Sequence, residues 1–193
     1  MNKVQRNELL SFSAYEEIRP HFRGRMIEQK RHRRVNVGDH MSLVFENHDS
    51  VLLQVQEMMR TERISDEAAI AHELDTYNEL VPAPGSLSGT LFIEYDDKDE
   101  RADMLRRFAT LRSSLQLRIG NDTFVARFGT HFGEELDRLP AVNYLTFEVG
   151  ATHGPRLLDP SVPARIEVTH PDYPVGVDLA RDVREQLAHD LTS

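Results

Sequence analysis

Apolar side chains recur every three or four positions between residues 49 and 63, which predicts an amphipathic helix. This stripe consists of Val51, Leu52, Val55, Met58 and Met59. Asp49 is expected to cap the start of the helix. A second helix is predicted over residues 66–79 with Ser65 as its cap, and its inner face consists of Ile70, Leu74 and Tyr77.

Alternating apolar and polar positions predict two β-hairpins. The first covers roughly residues 33–46 and turns at Gly38-Asp39. The second covers residues 115–128, with a three-residue turn at Gly120-Asn121-Asp122. The remaining predicted elements are strands over 91–95, 141–149 and 164–169, and helices that begin at Pro20, at Asp97 and near Leu179.

About seven short strands and five or six helices result from this pattern, and hairpins outnumber strand–helix–strand crossovers. The sequence therefore predicts an α+β fold, in which a mainly antiparallel sheet of short strands and hairpins packs with five to six helices. The length of 193 residues fits a single domain, 1–193. A weak subdomain boundary is expected near 81–88, where Pro82, Pro84 and Gly85 form a loop.

The composition excludes several classes of site and suggests a location. The chain has no Cys, which excludes disulfides, thiolate nucleophiles and Cys-ligated metal centres. No apolar run approaches the roughly 20 residues that a membrane-spanning helix needs. The polar N-terminus lacks the apolar core of a secretion signal, so we expect a cytoplasmic protein.

Positive charge is concentrated in one short segment of an otherwise acidic chain. The net charge is −9, yet residues 19–34 hold seven of the 23 Lys and Arg residues and only one acid, Glu28. The overall negative charge disfavours general nucleic-acid binding. The segment could bind an anion or an acidic partner, or form a solvated patch that pairs with acids of the chain itself. Its members are Arg19, Arg23, Arg25, Lys30, Arg31, Arg33 and Arg34.

Glu62 falls inside the apolar stripe when the helix over 49–63 is drawn at 100° per residue. A carboxylate on a core face must be paired, protonated or bound to a metal; the alternative is that the helix frays and the side chain reaches water. We expect the basic segment and this helix to form one ligand- or partner-binding cleft. Its predicted members are Lys30, Arg31, Arg33, Arg34, Glu46, Gln54, Glu57, Arg60, Glu62 and Arg63.

A metal centre is the second hypothesis, with Glu57, Glu62, His72 and Asp75 as ligands of iron, manganese or zinc in a redox enzyme. Against it, His72, Asp75 and Glu79 share a helix face opposite the apolar one, which favours a solvated surface. His131, Glu134 and Glu135 form a weaker loop cluster. A structural subunit with no ligand site is the third hypothesis, and no motif decides whether the chain is an enzyme or which cofactor it holds.

Several segments carry a resemblance to a known family. They are Lys30-Arg31-His32-Arg33-Arg34-Val35, Phe45-Glu46-Asn47, residues 54–64, Glu73-Leu74-Asp75 with Tyr77-Asn78, and Ile93-Glu94-Tyr95. The chain resembles the bacterial domain-of-unknown-function family 3501. The resemblance implies a small soluble cytoplasmic protein, encoded beside rubrerythrin-like proteins and iron–sulfur oxidoreductases. It thus implies an accessory role in electron transfer or oxidative-stress handling, with such a protein as partner.

Overall fold

The structure is a computed structural model that describes residues 1–129 and 137–192. The predicted cluster of His131, Glu134 and Glu135 lies outside these residues. The α-helices of the described part are α1 Phe12–Arg31, α2 His48–Glu62, α3 Glu67–Tyr77, α4 Lys98–Arg107, α5 Gly154–Leu158 and α6 Arg181–Thr192. Its strands are β1 Arg34–Asn36, β2 Met41–Phe45, β3 Ser86–Ile93, β4 Leu115–Ile119, β5 Asp122–Val125, β6 Arg127–Phe128, β7 Val142–Glu148, β8 Ala164–Val168 and β9 Val175–Asp178.

The strands form two antiparallel sheets, which confirms the predicted α+β class. The five-stranded sheet has the order β1-β2-β3-β7-β6, and the four-stranded sheet has the order β5-β4-β8-β9. Strands β5 and β6 are nearly continuous, and the chain passes from one sheet to the other at Ala126, whose N–H donates to the carbonyl of Leu115. Strand β9 was not among the predicted strands.

The main core contains one face of each sheet. Because successive side chains of a strand point to opposite faces, every second residue of β2, β3 and β7 enters this core. The five-stranded sheet contributes Leu43, Phe45, Leu91, Leu145 and Phe147, and the four-stranded sheet contributes Leu115, Leu117, Ile119, Ile166 and Val168. All ten side chains are buried, so this apolar layer is the main source of hydrophobic stabilisation.

The opposite face of the five-stranded sheet is polar, although it is also buried. Ser88 and Thr90 of β3 lie on this face and are at most 4% exposed. Helices α2 and α3 form a second apolar cluster, and Tyr144 of β7 packs against it. The helical members include Val51, Val55, Met59, Ile70, Leu74 and Tyr77. The inner faces predicted for both helices are thus confirmed, and polar sheet residues lie next to α2.

Helix α1 is longer than predicted, because it begins at Phe12 and Pro20 lies in its interior. Ser11 caps it by accepting a hydrogen bond from the N–H of Ala14. Proline inside a helix removes one backbone hydrogen bond. Tyr15 and Phe22, on either side of Pro20, are both buried in a small cluster that includes Leu52 of α2, so packing continues across this position.

The caps of the next two helices differ from the predicted ones. Asn47, not Asp49, caps α2, and its side chain accepts a hydrogen bond from the N–H of Ser50 at 2.9 Å. Asp66, not Ser65, caps α3 and accepts from two backbone N–H groups. Asp97 caps α4 as predicted. In each case an Asn or Asp oxygen directly precedes the first helical turn, where free N–H groups need acceptors.

Both predicted hairpins form, but the second has a shorter turn than predicted. Ile119 pairs with Asp122, which leaves Gly120 and Asn121 as a two-residue turn. Gly120 has a φ of 62°, a conformation that suits glycine at the first position of a type II′ turn. Within residues 1–129 and 137–192, no helix combines the length and the apolar character needed to cross a membrane.

Candidate functional site

Arg33 faces α6, and its side-chain hydrogen bonds go to residues of that helix. Its guanidinium group donates to both carboxylate oxygens of Asp190, at 2.5 and 3.0 Å, and also to Gln186 at 3.3 Å. The Arg33 and Asp190 side chains are only 5% and 1% exposed. The pair joins the start of β1 to the C-terminal helix, so Arg33 has a structural partner that the sequence analysis did not foresee.

Arg34 lies on the opposite side of β1, as the alternation of strand side chains requires. It donates to Ser42 Oγ at 2.6 Å, and its guanidinium carbon is 5.5 Å from the centre of the Phe92 ring. Arg31 is largely exposed and pairs with Glu28 of the same helix. The expected convergence of Arg31, Arg33 and Arg34 on one ligand therefore does not occur.

Glu57 of α2 is bonded to two arginines of the basic segment, Arg19 and Arg23, which lie near the middle of α1. Its carboxylate accepts hydrogen bonds from Tyr15 at 2.6 Å, from two nitrogens of Arg19 at 2.8 and 3.0 Å, and from Arg23 at 3.0 Å. The Arg19 guanidinium, then the Tyr15 hydroxyl and Arg23, lower the pKa of Glu57 to about 2. Arg60 pairs with Glu16 beside it. This α1–α2 seam neutralises Glu57 internally.

Glu62 does not face the core. It is the last residue of α2, and Arg63 follows in a left-handed conformation with a φ of 56°, so the helix ends and both side chains are exposed. His72 and Asp75 are also exposed on α3. The proposed ligands Glu57, Glu62, His72 and Asp75 therefore do not converge. Among the described residues, no group of three or more His, Asp or Glu side chains could hold a metal ion.

Three of the predicted site residues share one cavity. Lys30, Glu46 and Gln54 line a space of about 180 Å³ between α2, the end of α1 and the polar face of the five-stranded sheet. Each comes from a different place: Lys30 from the last turn of α1, Glu46 from the position before the α2 cap, and Gln54 from α2 itself. The other lining residues are Ser50, Val51, Leu80, Thr90, Phe92, Val142 and Tyr144. We call this space the Glu46 cavity.

The Glu46 carboxylate is buried and is held by two hydroxyl groups. It is 7% exposed, and its oxygens accept hydrogen bonds from Ser50 at 2.5 Å and from Thr90 at 2.6 Å. It also precedes the N-terminus of α2, where the helix dipole favours negative charge. Within the described part of the chain, Glu46 forms no ion pair with Lys, Arg or His, although Lys30 lines the same cavity. The Glu46 side chain is therefore bonded to two hydroxyl groups and to no cationic side chain of the described residues.

Tyr144 adds a hydroxyl group to the wall of the Glu46 cavity. Burial, followed by the nearby Tyr77 and Glu46, raises the pKa of Tyr144 to about 12. The phenol therefore keeps its proton at neutral pH and is able to donate a hydrogen bond. Lys30, Gln54 and Tyr144 therefore give the cavity hydrogen-bond donors of three kinds: an ammonium group, an amide and a phenol. Glu46 is its acidic acceptor.

Comparison with known protein families shows which family the chain belongs to. A family model described as "Protein of unknown function (DUF3501)" matches residues 3–191. The chain belongs to the DUF3501 family. The resemblance found in the sequence is thus confirmed across nearly the whole chain, and no curated protein matches it.

A solved structure of similar fold comes from Burkholderia pseudomallei K96243. That crystal structure, at 1.90 Å resolution, is described as a novel protein of unknown function. It is 32% identical to this chain, with a TM-score of 0.91, over 98% of this chain and 100% of the other. The fold is therefore shared by this DUF3501 protein and a relative of divergent sequence.

Sequence reasoning missed Ser50, Thr90 and Tyr144 in the Glu46 cavity. One signal was available, because small polar residues alternate with apolar ones along β3 in Ser86, Ser88 and Thr90. An alternation of this kind is usually attributed to a solvent-exposed face. Here that face is buried under helices, and the unusual combination of burial and polarity marks the site.

Proposed function

We propose that this DUF3501 protein is an accessory protein that binds a small organic ammonium compound in the Glu46 cavity. The observation that carries the proposal is a buried carboxylate that lines a cavity and, among the described residues, has no cationic side chain bonded to it. An isolated buried charge is costly, and a cation that enters the cavity relieves this cost. An ammonium group could donate to the Glu46 oxygens alongside Ser50 and Thr90.

Lys30 and Gln54 support a ligand whose other end accepts hydrogen bonds. A purely cationic ligand would be repelled by the Lys30 ammonium group, whereas a carboxylate or carbonyl group would be attracted to it. The preferred ligand class is therefore zwitterionic, with an ammonium group at Glu46 and an acidic or carbonyl group at Lys30. The sequence had suggested a cluster of guanidinium groups as the anion site. In this proposal the acidic end of the ligand binds the Lys30 ammonium group instead.

The cavity volume supports a ligand of few atoms. Sites for drug-sized ligands usually enclose roughly 300–1,000 Å³, and the Glu46 cavity has about 180 Å³. The apolar side chains of Val51, Phe92 and Val142 could pack against a short aliphatic chain between the two polar ends. A compound such as 4-aminobutyrate has both polar groups and a short apolar spacer.

Isothermal titration with three related compounds tests the proposal. The compounds are 4-aminobutyrate, butyrate without the amine and propylamine without the acid. We expect 4-aminobutyrate to bind at least tenfold more tightly than either compound that lacks one end. Glu46→Gln is expected to abolish the preference for an amine, and Lys30→Met is expected to abolish the preference for a carboxylate.

Glu94→Gln is the matched control, because Glu94 also accepts a serine hydroxyl, that of Ser42 at 3.0 Å, but is exposed and lies outside the cavity. Its binding should equal that of the unmodified protein. The proposal is wrong if the amine makes no difference to affinity, or if Glu94→Gln weakens binding as much as Glu46→Gln.

The link to electron transfer or oxidative-stress handling stays a prediction. It rests on the family resemblance, which implies a rubrerythrin-like protein or an iron–sulfur oxidoreductase as partner. Co-purification of the tagged protein with such a neighbour tests it, and a salt-sensitive complex is the expected result. Failure to form that complex would remove the partner and leave ligand binding by the Glu46 cavity unaffected.

A further inference from the structure

A second concave surface lies on the other side of α2 and shares no lining residue with the Glu46 cavity. It is a groove of about 300 Å³ between α1, α2 and the segment that precedes α1. Leu10, Ile18, Phe22 and Leu52 give it apolar walls, and His21 and Arg25 give it a basic rim. We call it the α1 groove. Leu10 and Ile18 are 36% and 45% exposed, which is unusual for side chains that face a concave apolar surface.

The two flanks of α1 differ in how their charges are satisfied. On one flank, Arg19 and Arg23 are bonded to Glu57 in the α1–α2 seam. On the other flank, Ile18, His21 and Arg25 follow at helical spacings of three and four and line the groove. Helix α1 is therefore anchored by one flank and presents the other to solvent.

Arg25 keeps its positive charge without an acidic partner among the described residues. Its guanidinium carbon lies 5.1 Å from the centre of the Phe22 ring, so the charged group is held at the groove by a cation–π contact. Glu8, the acid on the rim, is already bonded to His48 at 3.0 Å and to the N–H of Gln5 at 2.6 Å. Glu8 is thus engaged by these groups, and Arg25 is the charged side chain of the rim that has no acidic partner in the described part of the chain.

We propose that the α1 groove docks an acidic, amphipathic segment of a partner protein. One apolar side chain of that segment enters the α1 groove and packs against Ile18 and Phe22, and flanking carboxylates reach Arg25 and His21. The volume suits a single leucine or phenylalanine side chain, and a pre-oriented guanidinium group is well suited to carboxylates. The Arg25 guanidinium group at the rim favours an acidic segment over a basic one.

Fluorescence anisotropy with two designed peptides tests this proposal. The first is a labelled helical peptide with leucine at every fourth position and glutamate beside each leucine, and the second has lysine in place of every glutamate. We expect the acidic peptide to bind at least tenfold more tightly and to weaken as ionic strength rises. Arg25→Glu and Ile18→Asp should each reduce its affinity at least tenfold.

Arg31→Glu is the matched control, because it reverses a charge on the same helix at an exposed position away from the groove. It should change the affinity by less than threefold, and circular dichroism should show that all variants are folded. Equal binding of both peptides, or an equal loss from Arg31→Glu and Arg25→Glu, would overturn the proposal. A dimer in light scattering that Ile18→Asp converts to a monomer would also overturn it, since a second copy would then occupy the groove.

Discussion

Two carboxylates, one within α2 and one just before it, illustrate how burial and pairing distinguish a structural side chain from one that is able to bind a ligand. Glu57 in the α1–α2 seam accepts hydrogen bonds from two arginines and a tyrosine. Glu46, just before the helix, is more deeply buried, and within residues 1–129 and 137–192 its carboxylate is bonded to two hydroxyl groups and to no cation. The first charge is neutralised within the chain, whereas the second faces a cavity. A carboxylate with its own cations holds a fold together, and one without them is available to a ligand.

Asp190 extends the comparison to a carboxylate that is both buried and paired, and it carries the largest expected effect. Asp190→Leu leaves Arg33 buried without a counter-charge and should reduce the free energy of unfolding by about 3–5 kcal/mol. Urea denaturation measures this. The double variant Arg33→Met with Asp190→Leu should recover most of the loss, because it removes both charges. A double variant as unstable as the single one would contradict the role given to the ion pair.

Glu57→Gln breaks the α1–α2 seam and should cost on the order of 2–3 kcal/mol at neutral pH. The pKa of Glu57 is about 2, below its ordinary value of 4.5. The stabilisation is therefore fully present above about pH 5 and is lost as the pH falls toward 2. Denaturation midpoints across this range check the sign: the unmodified protein should lose stability on acidification, and the variant should lose about 2–3 kcal/mol less. Parallel curves would contradict the assignment.

Glu46→Gln should have the smallest effect on stability, less than about 1 kcal/mol in either direction. No ion pair is lost, and the Ser50 and Thr90 hydroxyls can reorient toward the new amide. The same denaturation measurement compares it with Glu57→Gln. A loss as large as that of Glu57→Gln would mean that Glu46 is a structural carboxylate and would remove the distinction between the two.

Local patterns predicted the elements better than the sites. The stripe of α2, the inner face of α3 and both hairpins depend on residues close in sequence, and all of them form. Pro20 was misleading, because proline usually marks a helix start but here lies inside α1. Glu62 was placed inward because the helical wheel assumes that the helix continues, whereas the chain turns at Arg63.

The partners of the charged residues could not be predicted, because they are distant in sequence. Arg33 and Asp190 are 157 positions apart, and Glu46 and Thr90 are 44 positions apart. Only the pairing of β2 with β3 brings Thr90 to Glu46, and only the packing of α6 brings Asp190 to Arg33. The sequence therefore placed Lys30, Glu46 and Gln54 in one predicted cleft, but it added charged residues that do not line the cavity.

A crystal structure of the protein soaked with 4-aminobutyrate would show whether Glu46 binds an ammonium group. We expect the compound in the Glu46 cavity, with its nitrogen within hydrogen-bonding distance of a Glu46 oxygen and its carboxylate toward Lys30. A compound bound elsewhere, or one bound with its carboxylate at Glu46, would show that Glu46 is not an ammonium site.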